Sequence, residues 1–258
     1  MTVLGVCLVA AAAVAAVRLS AGDGGTPSGY PNQGDPGPVI LVPGYGGNTG
    51  SLTALADRLT ATGRSTQVLA LPGNGTGDLN TQVRTLDNAV RTALSNGAAS
   101  VDVVGYSAGG VVARLWVAQD GGVHEARRVV TLGSPLHGAK IAAIGANLVP
   151  GACPVACQQL VPGSALLSQL DATPLPAQLP WLSVWSEDDQ TVTPPDSARL
   201  TGAINVALQQ ICPAETVAHA QLPTDPLVTG LVLKALGAAP ISAPVPSQCQ
   251  TLVDSGRG

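Results

Sequence analysis

The segment that most constrains the fold is Val101-Asp-Val-Val-Gly-Tyr-Ser107-Ala-Gly-Gly-Val-Val-Ala113. An apolar strand pattern runs directly into Gly105-Tyr106-Ser107-Ala108-Gly109, and a helix pattern starts at once. A turn this tight presses its backbone against a neighbouring strand and its own helix, where a side chain at Gly105 or Gly109 would collide. Five residues alone are a weak signal, so the weight of this one comes from its flanks.

Those flanks belong to a longer rhythm. Val39-Ile-Leu-Val42 is a short continuous apolar run ended by Pro43-Gly44, the pattern of a strand buried on both faces. Ser51 is expected to cap a helix with Leu52, Leu55, Ala56 and Leu59 on one face, closed by Gly63. Gln67 to Leu71 predicts the next strand, and a helix follows from about Asp78 to Leu94 with Leu79, Val83, Leu86 and Val90 at helical spacing. The strand Val101 to Val104, the helix Gly109 to Ala118 and a strand over Arg128 to Leu132 continue the alternation. Strand, helix, strand, helix means βαβ units and a predominantly parallel sheet of about six strands. From Gly133 to Pro180 the rhythm breaks, and only Ser164 to Leu170 reads as helix, which predicts a small cap over the sheet at about 136–180. Trp181 to Trp185 and Ala203 to Leu208 resume the strands, Asp225 to Leu236 predicts a terminal helix, and residues 238–258 read as a tail. One catalytic domain over 38–237 is the expectation, since 258 residues with 45% hydrophobic side chains can bury one sizeable core. Phe is absent, so that core must be built from small and branched aliphatics.

The strand–Gly-Tyr-Ser-Ala-Gly–helix unit resembles the nucleophile elbow of α/β-hydrolases, and that resemblance implies further residues. A serine needs a base to become a nucleophile at neutral pH, and the base needs an acid to fix its tautomer. In this fold the chain order is serine, acid, histidine, which His219 satisfies and His124 and His137 do not. The acid belongs in the turn after the penultimate strand, where Glu187, Asp188 and Asp189 stand together. Asp189 is preferred because Val192 follows it as an apolar anchor, with Asp188 and then Glu187 as the alternatives. Backbone N–H groups of Tyr45 and Ala108 would form the oxyanion hole, one in the loop after the first strand and one just after the nucleophile. Tyr45 is also placed to line an acyl pocket. The glycine-rich Gly44-Tyr-Gly-Gly47 lacks both the Gly-x-Gly-x-x-Gly spacing and a Lys-Ser/Thr pair, so it does not read as a phosphate loop.

Charge excludes one class of partner. Only 11% of residues are charged, the net charge is −4 and Lys and Arg form no cluster, so nucleic acid is not expected. Val3 to Val17 is almost purely apolar and too short for a membrane span, which predicts a secretory signal over residues 1–22, with an uncleaved anchor as the alternative. Residues 23–37 then form a Pro/Gly linker. With Cys7 removed in the leader, Cys153, Cys157, Cys212 and Cys249 remain, an even number that in an exported chain reads as two disulfides. Three connectivities exist, and position favours Cys153–Cys157 within the cap and Cys212–Cys249 between the His219 loop and the tail. Cys-x₃-Cys without a nearby histidine is poor zinc spacing.

Taken together, Val42-Pro-Gly-Tyr-Gly-Gly47, Leu71-Pro-Gly-Asn-Gly-Thr-Gly-Asp78, the elbow, Thr131-Leu-Gly-Ser-Pro135, Ser183-Val-Trp-Ser-Glu-Asp-Asp-Gln-Thr-Val192 and His219 resemble secreted bacterial lipases and esterases, particularly actinobacterial lipases of the class 2 kind. The match runs in order over roughly residues 38 to 237. It implies an α/β-hydrolase that cleaves carboxylic esters, most naturally of lipids, through an acyl-enzyme on Ser107. No cofactor or metal is required, and a monomer that meets lipid interfaces transiently is the expectation. An acyltransferase or thioesterase on the same site, or a non-catalytic lipid-binding envelope protein, are the alternatives. The family usually has His-Gly where this chain has Pro43-Gly44, and often Pro-His-His-Gly where it has Pro135-Leu-His-Gly138. These departures bear on substrate preference, and His137 is read as a loop-structuring residue.

Overall fold

The computed structural model of the protein describes residues 29–119, 121–148 and 153–258, so the apolar segment 3–17 and Cys7 lie outside the described residues. Six strands, β1 (Val39–Val42), β2 (Thr66–Val68), β3 (Val101–Tyr106), β4 (Ala126–Leu132), β5 (Trp181–Trp185) and β6 (Ile204–Ala207), form one sheet in the order β2-β1-β3-β4-β5-β6. Every neighbouring pair is parallel. Each crossover therefore needs a covering element, and α1 (Gly50–Ala61), α2 (Leu79–Ser95) and α3 (Ala108–Gln119) supply the first ones. β1 is buried along its whole length because strands flank it on both sides and helices cover both faces, which is why it could be written as four consecutive aliphatics.

Period-two alternation divides the core. Ile40, Val42, Val101 and Val103 face one side, packed with Leu79, Val83, Leu86 and Val90 of α2 and with α3. Val39, Leu41 and Val104 face the other, packed with Leu52, Leu55 and Leu59 of α1 and with α8 (Pro226–Ala235). Helix α3 is buried from Ala108 to Val117, since sheet, α2 and cap enclose it. The cap consists of α4 (Lys140–Leu148), α5 (Val155–Gln159) and α6 (Ala165–Asp171), with the Cys153–Cys157 disulfide at the start of α5.

Several local expectations shift. Helix α1 starts at Gly50 with Thr49 at its N-cap, two residues before Ser51, and no side chain caps it. Strand β2 is an edge strand and is shorter than Gln67 to Leu71, because Gly73 and Asn74 turn left-handed (φ 59° and 53°) and divert the chain. The last strand stops at Ala207 and the chain enters a single helical turn, α7 (Leu208–Ile211). Residues 238–258, expected to be a tail, contain α9 (Cys249–Arg257) packed on α8. That contact depends on backbone proximity, for a Cβ at Gly256 would lie 1.8 Å from the Pro226 carbonyl oxygen. The Cys212–Cys249 disulfide ties α9 to the end of α7.

The chain moves from β1 outward to β2 and then returns across β1 to β3, so the strand order reverses between β1 and β3. In open α/β sheets the crevice beyond the strand C-termini at such a switch point is where ligands bind. The register Val42↔Gly105 sets the loop after β1 beside the turn after β3 at that crevice.

Candidate active site

Ser107 sits between the last residue of β3 and the first of α3 with φ 52°, a left-handed conformation that costs a non-glycine residue roughly 1–2 kcal/mol. Close neighbours impose it. A Cβ at Gly109 would lie 2.2 Å from the Val42 carbonyl oxygen and one at Gly105 2.6 Å from the Gly110 Cα, so the turn closes only with glycine on both sides. Ser107 N–H donates to the Leu132 carbonyl at 2.8 Å, which fixes the elbow to β4.

His219 opens a short 3₁₀ turn, His219–Gln221, in the loop between α7 and α8. Its Nε2 lies 3.0 Å from Ser107 Oγ and its Nδ1 2.6 Å from Asp189 Oδ2. The other carboxylate oxygen, Oδ1, accepts from the backbone N–H groups of Thr191 and Val192, each at 2.8 Å. Nδ1 is thus set against a carboxylate and Nε2 against the serine hydroxyl, the order a general base between an acid and a nucleophile requires. Asp189 is 1% exposed and His219 8%, so water does not compete for these bonds. Asp188 instead accepts from Gln209 at the surface and Glu187 is exposed; of the three acids in the turn, Asp189 is the one directed inward.

Two contributors were not singled out in the sequence. Gly133, with φ 52°, follows β4, and a Cβ there would stand 3.2 Å from His219 Nδ1 and 3.3 Å from Asp189 Oδ2. Tyr106 donates its hydroxyl to the His219 carbonyl at 3.1 Å and sets its ring 5.2 Å from the imidazole. Burial, and secondarily the Asp189 carboxylate, push the Tyr106 phenol up to about 12. Strand alternation sets position 106 on the sheet face of 102 and 104 but gives no sign of its partner.

Tyr45 lies in the turn after β1 and Ala108 begins α3, whose first N–H groups have no intrahelical acceptor. Tyr45 and Ser107 share a cleft of about 210 Å³ walled mainly by Pro135, Ala139, Ala142, Leu160 and Val192, a predominantly apolar lining from loop and cap. A roomier hollow of about 400 Å³ beside α5 is lined largely by carboxamides, and its one hydroxyl, Ser164, donates to the Gln159 carbonyl; there Gln119 bonds Asn80, and Gln159 bonds Asp78. That Gln159 bond holds the Asp78 carboxyl below its usual range and ties α5 to the N-terminus of α2. His137 lies outside the Ser107 cluster: its Nε2 meets the Arg199 carbonyl and its Nδ1 the Asp171 carboxylate, each at 2.9 Å, which staples the loop before α4 to α6. His124 stacks on Tyr30.

An all-parallel six-stranded sheet with a serine turn after its third strand and an apolar cleft over the switch point has the architecture of the α/β-hydrolase fold. A sequence model of the palmitoyl protein thioesterase family matches residues 38–172, just over half of the chain, and the protein belongs to that family. Its fold is similar to that of Aspergillus fumigatus lipase B (TM-score 0.70, 21% identity), over 88% of this chain and 57% of the lipase. The chain thus spans well under two thirds of that lipase. It also resembles mature Bacillus licheniformis lipase BlEst2 (TM-score 0.58, 19% identity, 69% of this chain and 84% of the lipase). A further likeness is to the Listeria innocua lin2722 product (TM-score 0.56, 16% identity, 82% and 98%). No curated protein matches the sequence.

Proposed function

We propose that the protein is a serine hydrolase that cleaves carboxylic esters of lipids through Ser107, His219 and Asp189. The observation that carries this reading is the continuous relay from Asp189 Oδ2 through both ring nitrogens of His219 to Ser107 Oγ, at 2.6 and 3.0 Å. Ser107 Oγ attacks the acyl carbon while Nε2 takes its proton, and the carbonyl oxygen becomes an oxyanion received by the backbone N–H groups of Tyr45 and Ala108. Asp189 stabilises the imidazolium. Collapse breaks the bond to the leaving oxygen, which takes the proton from Nε2 and departs as the alcohol. Water then attacks the acyl-enzyme as His219 takes one of its protons; the acid leaves and Ser107 Oγ regains its hydrogen. The apolar cleft beside Ser107 supports an acyl chain as the group held there.

A thioester is the second substrate reading, favoured by the family match. The same steps apply with sulfur as the leaving atom. The catalytic unit is taken as residues 38–237 with the cap at about 136–180, exported behind a leader or anchor within 1–22. Both disulfides support that placement. Hydrolysis of p-nitrophenyl esters from acetate to palmitate, beside a palmitoyl thioester, tests the reading. Turnover that rises with chain length and disappears in Ser107→Ala supports it; turnover undiminished in that variant contradicts it.

A further inference from the structure

His219 stands in a loop with little regular structure of its own, yet catalysis by proton transfer needs its imidazole held to a fraction of an ångström. Three groups face it: the Asp189 carboxylate from the turn after β5, the Ser107 hydroxyl from the elbow, and Tyr106 from the end of β3. The Tyr106 ring lies with centroids 5.2 Å apart and planes 30° tilted, and its hydroxyl donates to the His219 carbonyl at 3.1 Å. That carbonyl already accepts the Leu222 N–H at 3.2 Å, so the tyrosine is not needed to satisfy a buried acceptor. The phenol, pushed up to about 12, stays a neutral donor across any working pH.

Building on the serine-hydrolase reading above, we propose that Tyr106 is a positioning residue that locks the His219 backbone to the strand end carrying Ser107. Because Tyr106 and Ser107 are consecutive, one strand terminus sets both ends of the Oγ–Nε2 gap, and the base cannot drift without the nucleophile. The hydroxyl restrains the loop through its carbonyl. The ring face closes one side of the imidazole and meets the positive charge that forms on it in the transition state.

The test compares purified wild type, Tyr106→Phe and Tyr106→Leu by steady-state hydrolysis across pH and by thermal unfolding, with fluorophosphonate labelling of the wild type as control. Tyr106→Phe removes one hydrogen bond and keeps the ring. We expect kcat to fall about three- to tenfold with KM within about twofold, the pH limbs unmoved and Tm within about 2 °C. Tyr106→Leu also removes the ring and is expected to lose about a hundredfold in kcat. An unchanged kcat in Tyr106→Phe overturns the proposal, and so does a kcat loss accompanied by a large fall in Tm, which would assign the tyrosine to packing. A wild type that labels and turns over normally while the Phe variant is unaffected leaves the hydrolase reading intact. A wild type that does not label defeats that reading and this proposal with it.

Discussion

The two ends of strand β3 hold buried polar clusters built for opposite purposes. At the N-terminal end, Asp102 and Arg127 are fully buried and paired at 2.5 Å, with Arg64 on the same carboxylate. Arg127 and Arg128 spend their remaining N–H groups largely on carbonyls at the end of α8, from Ala235 to Ala238, and on Gln33. Burial first, and then the neighbouring Arg127, pull the Arg128 guanidinium below its ordinary value, so the one carboxylate among three guanidiniums is what makes this cluster tolerable. Its guanidinium donors are occupied. At the C-terminal end the carboxylate is matched to a single histidine, which reaches a serine held in a strained turn. One end holds the helix and the sheet together, while the other, in the function proposed above, passes a proton.

The same substitution at each end should separate them. Asp189→Asn keeps an oxygen for the Thr191 and Val192 N–H groups but no longer fixes the histidine tautomer; hydrolysis should fall about 10⁴-fold with Tm nearly unchanged, read by kinetics and calorimetry on one sample. Asp102→Asn should do the reverse. It leaves buried guanidinium charge uncompensated and should cost about 3–5 kcal/mol in denaturant unfolding, while the specific activity of the remaining folded protein stays near wild type. A comparable loss of both properties at both ends would erase the distinction.

Replacing Cys212 and Cys249 by Ser opens a cross-link over a sequence separation of 37 and should lower stability by about 3–4 kcal/mol on the chain-entropy argument. Chemical denaturation measures this, and the looser His219 loop should reduce kcat as well. The smallest effect is expected at Ser134, buried beside the elbow with an unpartnered hydroxyl. Ser134→Ala removes a desolvated group that bonds nothing and should change unfolding free energy by less than about 1 kcal/mol. A large loss there would mean the hydroxyl has a function beyond packing.

Where backbone demands are strict, the sequence was legible. The elbow needs glycine at 105 and 109, parallel strands need unbroken aliphatics, and the turn after β5 needs an acid followed by an anchor at Val192; each left residues that could be read in order. Position along the chain also pointed to both disulfides, Cys153–Cys157 and Cys212–Cys249. The cap helices were legible only in part, because α5 is a five-residue turn held by the Cys153–Cys157 link and by bonds from the 72–78 loop, such as Ala156 N–H to Thr76 carbonyl, and α4 packs on it. Helix α9 was missed because it docks by backbone approach at Gly256 and buries little beyond Leu252, so no apolar stripe announced it. Tyr106 was passed over as the variable residue of a motif, although its partner carbonyl comes from a loop 113 residues away that no local pattern could place.

If Ser107 is an activated nucleophile, a fluorophosphonate should modify it, and intact-mass spectrometry of the folded protein after such treatment reads the outcome. A single covalent adduct mapping to Ser107, absent in Ser107→Ala and strongly slowed in His219→Ala, is the predicted result. An adduct that persists undiminished in Ser107→Ala, or none on folded wild type, would contradict it.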